Sequence, residues 1–229
     1  MGGTKFYQNW VRDLFDDYVI WSADDGTEWQ IKKKLSERAS FYPAENNGEL
    51  TWNGCIVKIR LQVPPEYPAS LKPESRRNFA SIETSHFIDM EIASLRHFNK
   101  VGSKATPRII HLKRSLQRDH YPVPGGYIVF IIMEKVPGIT LSEFWSYDLA
   151  KRDKIRAAFR ETLTEICRNH GFIGDPHLGN IIYDEKKNKC WIVDYEDIYI
   201  CKDRKPKTFS EHVYLYWGLA SSNNYGIRW

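Results

Sequence analysis

Apolar and polar residues alternate early in the chain, and helical spacing takes over further on. Asp17–Ser22 (DYVIWS) and Glu28–Leu35 (EWQIKKKL) read as alternating apolar and polar, the pattern of half-buried strands. They are joined through Ala23–Thr27, where Asp25-Gly26 is a hairpin-turn dipeptide. Gly54–Leu61 (GCIVKIRL) is another strand candidate, and residues 63–75 form a proline-rich loop in which regular pairing is blocked. Residues 84–100 place Phe87, Ile88, Ile92, Leu95 and Phe98 on one helical stripe, with Ser or Thr available as a cap. The run Tyr127–Met133 (YIVFIIM) is too short to cross a bilayer and reads as a buried strand.

Residues 141–170 read as helix, with Ile155, Phe159, Leu163 and Ile166 on one stripe and Gly171 in the C-terminal cap position. Two short strands follow, NIIYDE and CWIVDYED, around a Lys-Asn turn. The pattern predicts an α+β chain in two lobes. Residues 1–135 form a strand-rich N-terminal lobe, residues 136–229 a helix-rich C-terminal lobe, and Met133–Gly138 the crossing.

Composition changes this picture little. Hydrophobic content of 42% and charged content of 27% are ordinary for a globular chain. Aromatic content is 14%, enough to fill a core and also line a site. The net charge of +4 is mild, but basic residues cluster at Lys32, Lys33 and Lys34, at Arg76 and Arg77, at Lys113, Arg114 and Arg118, and from Lys202 to Lys207. Such clusters are either solvated surface or contacts for a phosphate backbone. The four cysteines form no Cys-x-x-Cys pair and no zinc set, so free thiols are expected. With no signal peptide and no membrane-spanning run, the expected location is cytoplasmic.

The chemistry concentrates in GDPHLGNIIYDEKKNKCWIVDYED. Asp175 precedes Asn180 by five residues, and an apolar run ends fourteen residues later in Asp194. Phosphoryl transfer needs an Asp to orient the acceptor hydroxyl, and an Asn and a second Asp to hold magnesium on the nucleotide. Upstream, Lys58 stands in the strand candidate CIVKIR, and Glu91 in the following helix is a candidate partner for it. Strand-Lys, helix-Glu, connector, Asp-x4-Asn and apolar-Asp, in this order, resemble the protein-kinase-like fold. They are most similar to its aminoglycoside-phosphotransferase and choline-kinase branch, over roughly residues 50–200. The resemblance implies ATP and magnesium as cofactors.

Two features depart from that pattern. Between Thr27 and Lys58 the only glycines are Gly48 and Gly54, in no glycine-rich phosphate loop. Only 35 residues follow Asp194, so a shortened helical C-terminal lobe is expected. The Asp-Asp-x-x-Glu of Asp24, Asp25 and Glu28 suggests another activity. By themselves these acids fit a hairpin turn, a hard-metal site, acid–base work, or a guanidinium pocket. The motif resembles that of the fungal arginine-containing cyclodipeptide synthases. That resemblance implies joining of arginine from arginyl-tRNA to an amino acid from a second aminoacyl-tRNA as a diketopiperazine, with no required cofactor. On this expectation Asp24 and Asp25 receive the guanidinium or α-amine, Glu28 moves or positions a proton, and the basic residues at 32–34, 76–77 and 113–114 hold tRNA. Neither DNA nor a membrane is expected as partner. The alternatives are a small-molecule or atypical kinase and a pseudokinase-like binding module.

Overall fold

The computed structural model describes residues 14–15, 18–21, 26–31, 33–41, 44–52, 55–65, 70–223 and 226–228, with side chains outside 33–52 and 223–228. Two compact units result. One holds residues 1–88 and 109–135, the other residues 89–108 and 136–229.

In the first unit, β1 (Val19–Trp21) and β2 (Glu28–Gln30) form the predicted antiparallel hairpin, with Val19 opposite Gln30 and Trp21 opposite Glu28. Ile20 and Trp29 point inward and are buried, while Val19, Trp21 and Glu28 are exposed. The strand expected over 28–35 ends at Gln30, and a new strand starts at Lys33. β3 (Lys33–Phe41) and β4 (Ala44–Trp52) are paired strands that the alternation did not reveal, because their sequences are largely polar. β5 (Cys55–Gln62) follows, carrying Lys58. Within the proline-rich loop lies a short helix, α1 (Pro73–Arg77), which proline tolerates because it sits in the first turn.

The helix α2 (His86–Lys100) begins after Ser85, whose hydroxyl accepts from the Ile88 amide at 3.4 Å. Beyond it come β6 (Ile109–Leu116) and β7 (Tyr127–Glu134). The five long strands make one antiparallel sheet in the order β3-β4-β5-β7-β6. β7 lies between β5 and β6, and Tyr127–Met133 are all buried, which is why this strand is apolar throughout instead of alternating. Val57, Ile59 and Leu61 share one face with Ile128, Phe130 and Ile132, and Phe15, Ile20, Trp29 and Ile31 cover it. Tyr18 stacks on Phe130 at 5.6 Å. Period-2 geometry sends Lys58 and Arg60 to the opposite face, and both are buried.

The second unit includes Asp89–Lys100 of α2. β8 (Ile139–Thr140) leads into a 3-10 turn, Leu141–Ser146, and then α3 (Leu149–Arg168). The helix expected over 141–170 is therefore broken at Tyr147–Asp148. Asp148 caps α3 by accepting from the Lys151 amide at 2.8 Å. The predicted stripe of Ile155, Phe159, Leu163 and Ile166 is buried. Gly171 is not the C-terminal cap: His170 takes the left-handed conformation, φ 65°, and Gly171 opens β9 (Gly171–Ile173). A Cβ on Gly171 would lie 2.6 Å from Ile166 and 2.7 Å from the Phe98 ring, so close packing explains the glycine.

Next come β10 (Ile181–Asp184), β11 (Lys189–Ile192), β12 (Ile198–Ile200), α4 (Val213–Tyr216), β13 (Ser221–Asn223) and β14 (Gly226–Arg228). β11, β10 and β8 form one sheet, β12 pairs with β9, and β13 with β14. α3 lies on β11: the Thr162 hydroxyl donates to the Cys190 carbonyl at 2.8 Å and to the Ala158 carbonyl at 3.1 Å. Burial pushes the Cys190 thiol up to about 12, so it packs as a neutral hydrophobe. All four cysteines are free thiols. Among the described residues no helix is long and apolar enough to cross a membrane.

Phe130 sits at the centre of the first core. Phe130→Ala should cost about 3–5 kcal/mol, read as a lower urea midpoint at unchanged slope. A shift below ~1 kcal/mol would show that the core closes over the gap.

Candidate functional site

The chemistry-bearing residues of the second unit follow from two short ladders. β9 and β12 pair with Ile173 opposite Ile198, and the Gly174 amide extends the ladder by donating to the Asp197 carbonyl at 2.8 Å. The chain then leaves the sheet at Asp175, which is exposed. His177 Nε2 lies 3.6 Å from Asp175 Oδ2, an ion-pair separation but too long for a hydrogen bond. Leu178–Asn180 form a 3-10 turn closed by the Asn180 amide on the His177 carbonyl, 3.1 Å. Asn180 is buried, and its Nδ2 donates to the Asp175 carbonyl at 3.2 Å. The acceptor is a carbonyl, so the nitrogen is committed and Oδ1 is the atom left to act as a ligand.

The second ladder is the β10–β11 hairpin, with Ile181 opposite Ile192. Its turn uses Asn188 at φ 47°, held by the Tyr183 hydroxyl at 2.9 Å. At the open end the Val193 amide donates to the Asn180 carbonyl at 3.1 Å. This bond sets Asn180 beside Val193, one residue before Asp194. Asp194 is half-buried and Tyr195 fully buried, its ring 5.8 Å from Phe98 of α2 in an edge contact. Burial raises the Tyr195 hydroxyl well above its ordinary pKa, against an opposing contribution from Thr106. Asp175, Asn180 and Asp194 thus meet in one loop cluster. Among the described residues no group of three His, Cys, Asp or Glu side chains could hold a metal ion.

The other predicted residues are placed separately. Lys58 is buried on β5 of the first unit, and Glu91 is buried on α2 within the second. Glu28 is exposed at the start of β2, and Asp24, Asp25 and Lys32 lie outside the described residues. Lys33 and Lys34 are on β3. Arg76 is buried, with Nη1 donating to the Ser70 and Leu71 carbonyls at 3.2 and 3.3 Å. Arg77 pairs with Asp119 at 2.7 Å, Lys113 donates to the Trp21 carbonyl at 3.1 Å, and Arg114 to Thr84 Oγ1 at 2.9 Å. These four basic residues make intramolecular bonds within their own unit. Asp197, which no motif singled out, joins the cluster through Gly174. Its only sequence signal is its place three residues after Asp194.

The chain has a protein-kinase-like fold. Residues 128–219, less than half of the chain, match the ABC1 atypical kinase-like domain. A structure of the bifunctional kinase-methyltransferase WbdD is similar, with a TM-score of 0.51 and 14% identity over 82% of this chain and 38% of that one. A co-crystal structure of WbdD with the kinase inhibitor LY294002 gives a TM-score of 0.50 and 14% identity, over 80% of this chain and 35% of that one. The chain therefore spans little more than a third of the length of these solved chains. No curated protein matches it in sequence.

The match over 128–219 overturns the expectation of tRNA-dependent cyclodipeptide synthesis, and with it the diketopiperazine product and the aminoacyltransferase class. That expectation stood on a three-acid motif at Asp24, Asp25 and Glu28. The matched region instead contains Asp175, Asn180 and Asp194, whose types and spacing are those of a kinase-like site.

Asn180→Ala removes the Nδ2 bond and leaves the Asp175 carbonyl short of a donor. The expected loss is about 1–2 kcal/mol in urea denaturation. An unchanged midpoint would show that the bond contributes nothing.

Proposed function

We propose that the chain is an ATP- and magnesium-dependent phosphotransferase of the kinase-like type. The supporting observation is the pairing of Asn180 and Val193 at the open end of the β10–β11 hairpin, which brings Asn180 beside the backbone that leads into Asp194. Both are hard oxygen donors. Magnesium held through phosphates needs only one or two carboxylates from the protein, so this donor set fits it. When bound, it would neutralise charge on the transferred phosphoryl group. Asp194 and Asn180 are the residues that would hold it.

Asp175 is the group to orient the acceptor hydroxyl and take its proton. Its side chain is exposed, while its backbone is fixed by Asn180. A carboxylate that must meet an incoming hydroxyl needs this combination of free head and fixed base. His177 Nε2 lies 3.6 Å from that carboxylate, outside hydrogen-bond distance. For Lys58 the support is its type and its strand, and kinase-like resemblance assigns it the nucleotide phosphates. The two residues joining β3 to β4, just before the Lys58 strand, are Tyr42 and Pro43. Neither is a glycine, so the sequence there lacks the glycine-rich pattern of a phosphate loop. This favours, as a second reading, a kinase-like module that binds nucleotide without turnover.

Calorimetry with ATP and magnesium, followed by release of labelled phosphate, tests both. Binding with turnover is expected, and Asp194→Asn should lower turnover by roughly 10²-fold or more while the unfolding midpoint is kept. Binding without turnover would select the second reading. No detectable ATP binding in the unmodified chain would sink the phosphotransferase.

A further inference from the structure

β11 is an edge strand, with β10 on one side only. Such an edge presents backbone amides and carbonyls that need cover. Cys190 and Ile192, two residues apart, turn these groups away from β10. The Cys190 carbonyl accepts from Thr162 of α3 at 2.8 Å, and the Ile192 amide donates to the Ala105 carbonyl at 3.1 Å. Successive amides of an extended strand point to opposite sides. Val193 accordingly donates the other way, to the Asn180 carbonyl at 3.1 Å. The backbone just before Asp194 is thus gripped on both sides, by Asn180 on one and by Ala105 on the other.

Ala105 belongs to the connection between α2 and β6, and a loop carbonyl holds a strand only where the loop itself is held. Glu165 of α3 supplies that hold. Its Oε1 accepts from the Lys104 amide at 2.6 Å and from the Ser103 hydroxyl at 2.7 Å. Ser103 Oγ accepts in turn from the Ala105 amide at 3.2 Å. Ser103, Ala105 and Ile192 are all buried, so water competes little for these bonds. A carboxylate is also the stronger kind of acceptor. Thr162 and Glu165 are three apart on α3 and therefore neighbours on its surface. One helix covers the β11 edge twice, directly at Cys190 and through the loop at Ile192.

We propose that Glu165 is a positioning residue: by holding Ser103 and Lys104 it keeps the Ala105 carbonyl on the Ile192 amide, and so fixes the strand end that leads into Asp194. Its effect on phosphoryl transfer rests on the function proposed above; the linkage to Ile192 does not. Glu165 touches no reacting group. It acts through one loop and one strand, and what it needs for this is an acceptor oxygen.

Amide hydrogen exchange at Ile192, with residues 155–160 of α3 as reference, tests the linkage without any need for activity. Glu165→Ala should speed exchange at Ile192 roughly tenfold and leave the reference amides unchanged, the mark of local opening. Glu165→Gln keeps an acceptor oxygen and should restore slow exchange. Ser103→Ala should speed exchange more weakly, and adding it to Glu165→Ala should bring no further gain, because both act through one bond network. Unchanged exchange at Ile192 in Glu165→Ala overturns the inference, as does equal acceleration of the reference amides. Glu165→Gln exchanging as fast as Glu165→Ala overturns it too. Where the unmodified chain turns over ATP, Glu165→Ala should raise the magnesium concentration for half-maximal turnover several-fold, and Glu165→Gln should not. An unchanged magnesium requirement in Glu165→Ala overturns the positioning role. Absence of all turnover in the unmodified chain would remove the proposed function, and exchange at Ile192 would then decide for or against the linkage.

Discussion

One backbone hydrogen bond, from the Val193 amide to the Asn180 carbonyl, sets the register on which the candidate site depends. A slip of one residue in the β10–β11 hairpin would turn every side chain to the other face. It would also remove Asp194 from the neighbourhood of Asn180. The register is held at the far end by the Asn188 turn and from behind by Thr162, which reaches from α3 to the Cys190 carbonyl. A 20-residue helix with one apolar stripe thus fixes a hairpin of two four-residue strands, and the hairpin sets Val193, the neighbour of Asp194, beside Asn180. Stability and the candidate site share the same bonds in this unit.

The most legible parts of the chain were those where one interaction dominates. Burial alternates along the β1–β2 hairpin, with Ile20 and Trp29 on its one buried face. The α3 stripe and the β7 run were readable for the same reason, since burial wrote them directly as hydrophobicity. β3 and β4 escaped because Ser36–Glu49 holds few apolar residues, so no period was there to find. The break before α3 did leave a signal, Asp148 as an N-cap, which the continuous helix reading passed over. Gly171 was mistaken for a cap because sequence cannot distinguish a glycine needed for a left-handed turn from one needed to let Phe98 and Ile166 approach.

The candidate site was drawn from residue type and spacing, and its supports were not visible there. Asp175, Asn180 and Asp194 were singled out from order alone, because a kinase-like chemistry would restrict both residue type and spacing. The three acids at 24, 25 and 28 misled for the converse reason. A short motif with chemical meaning needs a structural frame, and the frame matched by residues 128–219 lies elsewhere in the chain.

β7 has a further consequence for the order in which the protein is made. Tyr127–Met133 is seven consecutive apolar residues, the kind of segment that sticks to other chains when it emerges unpaired. Both neighbours it needs, β5 and β6, precede it in the sequence. By the time this strand leaves a ribosome its two partners are already outside, and Glu134 and Lys135 arrive directly behind it as charged guards. The strand order of the sheet thereby shortens the time during which its stickiest element has nothing to pair with.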